Sequence, residues 1–134
     1  MKKIDILGLG LVLLAAACNK STSTTDQTNS NDQANNSNQT VLTGNVEVDI
    51  TPTGFSPADI TVKSGTVVTF KNTSINLHEP ASDPHPTHID LPGFDSLRAL
   101  AGDETYSFTF TKVGKWGYHD HLKPSSRGSV TVVE

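Results

Sequence analysis

The five histidines of this chain are confined to two segments of the sequence: His78, His85 and His88 in the middle of the chain, and His119 and His121 near its end. If the second segment is extended, both of its imidazoles leave one face of a strand, with Cα atoms about 6.6 Å apart at roughly 3.3 Å per residue. Two imidazoles at that separation can converge on one ion. Imidazole clusters suit copper, zinc, iron or nickel, so the pattern favours a metal site.

Prolines bracket one of these histidines, because Pro84 and Pro86 stand on either side of His85, with His88 two residues further on. Their rings restrict the backbone, so both imidazoles can be presented at a lower entropic cost. The alternative interpretation is that each loop histidine is simply solvated. It accounts for each histidine alone, but not for their confinement to two segments that a β-sandwich could bring to the same end.

Asp120 lies between His119 and His121, and alternation along a strand sends its side chain to the opposite face, together with Trp116 and Tyr118. We expect Trp116 and Tyr118 to pack in the core or at its rim. We expect Asp120 to act as a hydrogen-bond acceptor behind the metal ligands, or as a turn residue, in preference to binding the metal itself.

Alternating apolar and polar residues predict short strands, and no helical period occurs among them. The predicted strands cover residues 46–50, 59–62, 66–70, 104–111 and 116–121, and Val130 and Val132 close the sheet. Glycine and proline turns separate them, which is typical of an all-β fold, a Greek-key β-sandwich.

A connection of about thirty residues, 72–101, interrupts this pattern and contains four prolines. Connections of that length inside a compact domain are usually functional or disordered. The prolines and histidines favour a functional loop. We expect it to lie at the same end of the sandwich as the residues that follow Tyr118.

The N-terminus has the layout of a secretory signal: two lysines, then an apolar run at residues 6–17. The run ends in Ala-Ala-Ala-Cys18 and resembles a bacterial lipoprotein signal, which implies that Cys18 carries lipid. Residues 1–18 are therefore predicted to be the signal, residues 19–40 a disordered polar linker, and residues 41–134 one domain. The expected location is the cell envelope, outside the cytoplasm, with a lipid anchor in a membrane.

The net charge excludes two classes of binding partner, and the sulfur content excludes an internal disulfide. The formal net charge is −4 and no basic cluster is present, which argues against nucleic acid or anionic lipid. Cys18 is the only cysteine, so no internal disulfide can form, and Met1 is the only methionine.

Four segments, residues 72–78, 106–110, 114–118 and 124–132, resemble a small bacterial cupredoxin of the plastocyanin and azurin type. The resemblance covers the whole domain and implies the cupredoxin-like sandwich. Family members hold a type 1 copper with His, Cys, His and Met. His78 matches the first ligand, but the other three positions hold Asp120, Lys123 and Ser126. A blue copper site is not implied, because its thiolate has no source.

A second resemblance concerns the histidines themselves. Residues 114–121 are similar to a segment of multicopper oxidases in which both histidines bind the oxygen-reducing copper cluster, and residues 84–88 resemble the His-Pro-x-His loop of the same enzymes. This resemblance implies a histidine-only copper site, with zinc as the other candidate ion. Its ligands would be His85, His88, His119 and His121, with His78 as a fifth.

Three functions remain open at this point. The first is a lipid-anchored, extracytoplasmic, copper-binding protein that handles copper or transfers electrons at a non-blue site, with a redox or copper-delivery partner protein. The second is a copper-dependent oxidoreductase, although the sequence offers no obvious general acid or substrate pocket. The third is a metal-free β-sandwich that serves as an interaction module.

Overall fold

The computed structural model of the protein describes residues 39–134. The predicted signal, Cys18 and nearly all of the predicted linker lie outside the described residues, so lipidation and the domain boundaries stay predictions. No helix in the described part is long and apolar enough to cross a membrane.

Residues 39–134 form two sheets that pack face to face. The five-stranded sheet has the order β1-β4-β9-β8-β6, and the four-stranded sheet has the order β3-β2-β5-β7. The strands are β1 (Val41–Leu42), β2 (Val46–Thr51), β3 (Gly54–Ser56), β4 (Asp59–Lys63), β5 (Thr66–Asn72), β6 (Pro80–Ser82), β7 (Thr105–Phe110), β8 (Gly114–Asp120) and β9 (Lys123–Val133). The predicted all-β sandwich is confirmed.

The alternating residues meet between the two sheets. In β2 the apolar positions are buried and the charged ones are more exposed, as half-buried strands require. Phe70 from β5 and Tyr118 from β8 are fully buried, and their ring centroids lie 5.3 Å apart in an edge-to-face arrangement. Such pairs add to the stability that burial of the rings already provides.

The long loop contains more structure than its sequence indicates. β6 lies inside it and pairs with β8, placing Ala81 opposite His119. Phe94 anchors the loop to the core because its side chain is fully buried. The sequence pattern does not reveal β6, because three residues are too few to show a period. Pro80 begins β6, which lies at the edge of its sheet, where proline is tolerated.

Strand β8 sends alternate side chains to opposite faces of its sheet. Tyr118 points into the core, so Gly117 and His119 belong to the other face. His119 is nevertheless fully buried, because the loop after β6 folds over it. The pairing of β8 with β9 shifts register between His119 and Asp120, an irregularity of the kind that redirects side chains at functional sites.

Candidate metal centre

Four of the five histidines form one group on this covered face. The ligand atoms of His85, His88, His119 and His121 all lie within 4.8 Å of one another. Nδ1 of His85 is 3.3 Å from Nε2 of His119, and Nδ1 of His121 is 2.9 Å from Nε2 of His88. The prediction that the long loop and the end of β8 meet is therefore confirmed. We refer to these residues as the histidine cluster.

A single turn of backbone presents the two loop histidines. The carbonyl oxygen of Pro84 accepts hydrogen bonds from the backbone N–H groups of Thr87 and His88, at 3.0 and 2.9 Å. This turn brings His85 and His88 to the same side. His88 has φ of 52°, in the left-handed region that residues other than glycine seldom occupy. Conformations of that kind concentrate at functional sites.

Carboxylates orient two of the four rings. Oδ1 of Asp83 lies 2.9 Å from Nδ1 of His119, and Oδ2 of Asp95 lies 2.6 Å from Nδ1 of His88. Because an ionised carboxylate only accepts, each of these Nδ1 atoms carries the proton. The Nε2 atoms of His88 and His119 then carry no proton, and their lone pairs face the other two rings of the histidine cluster, where a metal would bind. Metal-binding histidines in proteins almost always have such a partner on the second nitrogen.

Two further residues fix the carboxylate of Asp83. Nη1 of Arg127 donates to the same Oδ1 atom at 2.9 Å, from a position opposite His119 in the register of β8 and β9. A Cβ atom at Gly117 would collide with Oδ2 of Asp83, so only glycine leaves room for this carboxylate. The guanidinium of Arg127 is therefore part of this arrangement.

Burial lowers the pKa of His119, and the nearby His88 and His85 lower it further, against the opposing effect of the hydrogen bond and charge of Asp83. The neutral form of His119 is therefore favoured. Neutral imidazole is the form that binds metals. The buried member of the cluster is thus in the correct protonation state before an ion arrives.

Comparison with known proteins identifies the family. No family model matches the chain. Amicyanin from Paracoccus denitrificans is 32% identical over 97 residues, which cover 69% of this chain and 68% of that protein. The chain belongs to the cupredoxin family. Chloroplast plastocyanin from Oryza sativa subsp. indica is 36% identical to this cupredoxin over 83 residues, 58% of this chain. The cupredoxin spans about half of the plastocyanin, 54% of its length.

Solved structures agree with this assignment. A reduced amicyanin mutant matches with a TM-score of 0.58 and 26% identity, over 69% of this chain and 85% of amicyanin. A purple cupredoxin from Nitrosopumilus maritimus matches in fold with a TM-score of 0.58 and 24% identity, over 66% and 99% of the two chains. A Cu-containing nitrite reductase from Thermus scotoductus SA-01 matches with a TM-score of 0.56 and 27% identity. The match covers 66% of this chain but 22% of the enzyme.

His78 is not part of the histidine cluster, so the expected fifth ligand is corrected. Its Nδ1 lies 2.7 Å from Oδ2 of Asp120, and its Nε2 lies 2.8 Å from Oγ of Ser74. Both ring nitrogens therefore have partners within the fold. The ring is also buried, with 4% of its surface exposed.

Asp120 is a hydrogen-bond acceptor as expected, but it does not support the cluster. Besides His78, its carboxylate accepts from the backbone N–H groups of Glu79 and Leu122, at 2.9 and 3.1 Å. The reason is strand alternation, which turns Asp120 away from the face that His119 shares with the cluster. Asp120 therefore holds His78 and two loops in place.

The type 1 position of the family does not fit copper in this cupredoxin. The contact between His78 and Asp120 fills part of it. Lys123 donates instead to the carbonyl oxygen of Pro52, at 3.2 Å. Residues 39–134 contain no cysteine or methionine, so no sulfur ligand is available there. The four nitrogens of the histidine cluster, by contrast, suit a borderline ion such as copper(II) or zinc.

Sequence reasoning missed Asp83 and Asp95. The available signal was the position of Asp83 immediately before the Pro-His-Pro segment, since carboxylates commonly orient metal-binding histidines. No comparable signal marks Asp95, because Asp90 stands in the same loop near the same histidines. Only the folded loop distinguishes Asp95 from Asp90.

Proposed function

We propose that this cupredoxin binds copper(II) through the histidine cluster and handles the ion as cargo at the cell envelope. The observation that carries the proposal is the convergence of four imidazoles, two of them oriented by carboxylates. Metal–nitrogen bonds of about 2 Å place two ligand atoms on one ion roughly 3 Å apart. The pairs at 2.9 and 3.3 Å are already at that separation.

Hydrogen bonding assigns the ligand atoms. His88 and His119 would bind through Nε2, because their Nδ1 atoms face carboxylates. His85 and His121 would bind through Nδ1, the atoms that face the other two rings. In His85 and His121 the ring proton must move from Nδ1 to Nε2, which changes the tautomer but not the charge of each ring.

Copper is favoured over the other ions that imidazoles bind. A site of nitrogen donors generally has its highest affinity among first-row divalent ions for copper(II). Among the relatives, one is named a Cu-containing nitrite reductase and one amicyanin structure is a reduced Cu(I) form. Zinc is the alternative, because four imidazoles also suit its tetrahedral geometry.

The absence of sulfur from residues 39–134 supports a cargo role over a blue electron-transfer role. Nitrogen ligands favour copper(II) over copper(I) relative to thiolate and thioether ligands. A lipid on Cys18 would keep the protein at a membrane, where copper passes between envelope proteins. Release of a Cys18→Ser variant from the membrane fraction would support this part of the proposal, and unchanged membrane association would contradict it.

Copper titration followed by elemental analysis tests binding. We expect one copper(II) per chain after dialysis, and loss of most of that copper when His119 and His121 are both changed to Ala. The matched control is His78→Asn, which removes the one histidine outside the cluster and should retain the copper. Protein that binds only zinc, or a double variant that keeps its copper, would overturn the proposal.

Electron transfer at the same site is the second candidate. It is favoured by the amicyanin relatives, whose structures include both reduced and oxidised states. Reversible reduction with full retention of the ion distinguishes it from the cargo role. A cargo site with only nitrogen ligands should lose affinity on reduction to copper(I).

A further inference from the structure

The histidine cluster is buried unevenly. His119 is fully buried, His88 and His121 are half-buried, and His85 is exposed. The ring of His85 lies against His121 and His119, with centroids 4.8 and 5.2 Å away, so it covers one side of the ligand group. An ion bound by the four nitrogens would therefore be separated from solvent on that side by the imidazole of His85.

The four rings are also held unequally. His88 and His119 each have a carboxylate partner. Nδ1 of His121 lies 2.9 Å from Nε2 of His88, and the backbone N–H of His121 donates at 2.7 Å to the carbonyl oxygen of Glu79, the residue before β6. Within residues 39–134, the only side-chain hydrogen bond of His85 is the one to His119, at 3.3 Å. His85 is the most exposed ligand and the least supported.

Resting on the proposed function, we propose that His85 is the exchangeable ligand through which copper(II) enters and leaves the site. An acceptor protein would approach from the exposed side and offer a nitrogen or carboxylate oxygen donor. The bond to Nδ1 of His85 breaks as the bond to the acceptor forms, and the other three imidazoles hold the ion meanwhile.

The chemistry of the exchange defines the acceptor. Copper stays in the +2 state throughout, so no reductant is required, and the lone pair of His85 Nδ1 returns to solvent. A thiolate acceptor would instead be oxidised to a disulfide as it reduced copper(II), so it would take the ion as copper(I) and not by exchange of one ligand for another. The acceptor is therefore expected to present imidazole or carboxylate ligands.

Two single variants test this assignment. In His85→Ala the three remaining imidazoles should retain copper(II), and added imidazole should fill the vacated position and restore the nitrogen hyperfine pattern of the wild-type electron paramagnetic resonance spectrum. In His119→Ala added imidazole should not restore it, because that position is fully buried. Circular dichroism of both variants verifies folding.

Transfer kinetics give the second measurement, with free histidine as the acceptor and the copper-loaded full-length protein as the donor. The wild-type rate should rise in proportion to histidine concentration, and His85→Ala should transfer copper(II) faster than the wild type, because its acceptor position is already open.

The outcomes separate the two proposals. If the wild-type protein binds no copper(II), the proposed function fails. If the wild type binds copper(II) but His85→Ala behaves like His119→Ala, or the transfer rate is independent of histidine concentration, only the assignment of His85 fails.

Discussion

The carboxylate of Asp83 occupies the space that a side chain on Gly117 would need. An added Cβ atom at Gly117 would lie 3.3 Å from Cγ of Asp83 and closer still to Oδ2. The same carboxylate accepts the hydrogen bond from His119. Gly117 therefore affects the histidine cluster through Asp83, although it has no side chain that could bind a metal.

Gly117→Ala should lower copper(II) affinity by about 10- to 100-fold, the usual cost of losing the partner of a ligating histidine. The methyl group displaces the carboxylate, so Nδ1 of His119 loses its acceptor and the ring loses its fixed tautomer. Competition titration with a copper chelator measures the change.

A double-variant cycle provides the control for that change. If the effect passes through the carboxylate, Gly117→Ala should add little to the loss already present in Asp83→Asn. Fully additive losses would show that the alanine disturbs the strand by another route.

Asp95→Asn should weaken copper(II) binding, whereas Asp90→Asn in the same loop should not. Oδ2 of Asp95 lies 2.6 Å from Nδ1 of His88. An asparagine amide nitrogen at that position would be a second donor opposite the Nδ1–H group, so the hydrogen bond would be lost. Asp90 meets the loop through its backbone N–H, which donates to the carbonyl oxygen of Asp83. Equal affinities in the two variants would show that Asp95 does not position His88.

The shared site could be anticipated from the sequence because strand alternation is a local property. The spacing of His119 and His121 defines one face, and Asp120 must then occupy the other. The partners of these residues depend on tertiary contacts. β6 is too short to show a period, so nothing local indicates that His78 would meet Asp120 or that Asp83 would reach His119.

Asp120→Asn should reduce stability but leave copper(II) affinity nearly unchanged. The substitution disrupts the buried contact with Nδ1 of His78 and should cost about 1–3 kcal/mol in the free energy of unfolding. Urea denaturation of the metal-free protein and copper titration of the folded variant measure the two effects separately. A large loss of copper(II) affinity without loss of stability would show that Asp120 belongs to the metal site.

Alkaline pH should remove the advantage of Tyr118 over phenylalanine. Burial, followed by the charge of Asp59, raises the pKa of Tyr118, so the folded protein keeps the phenol neutral. The unfolded chain ionises near pH 10, and the stability contributed by the neutral phenol is present below that pH and declines by about 1.4 kcal/mol per unit above it.

Tyr118→Phe supplies the comparison for this pH effect. At pH 8 the variant should be less stable by about 1 kcal/mol, because it lacks the hydrogen bond from the phenol to the carbonyl oxygen of Ala58. By pH 11 the difference should close, as measured by urea denaturation at both values. A difference that stays constant would mean that the phenol ionises equally in both states.

The most direct test of the copper site is a count of nitrogen ligands by electron paramagnetic resonance of the copper(II)-loaded protein, recorded together with its visible absorption spectrum. We predict four imidazole nitrogens, one fewer in each single alanine variant of the histidine cluster, and none lost in His78→Asn. The protein should lack the intense blue colour that a copper–thiolate bond produces, since residues 39–134 contain no cysteine. An intensely blue protein, or a nitrogen count that falls only when His78 is replaced, would contradict the account.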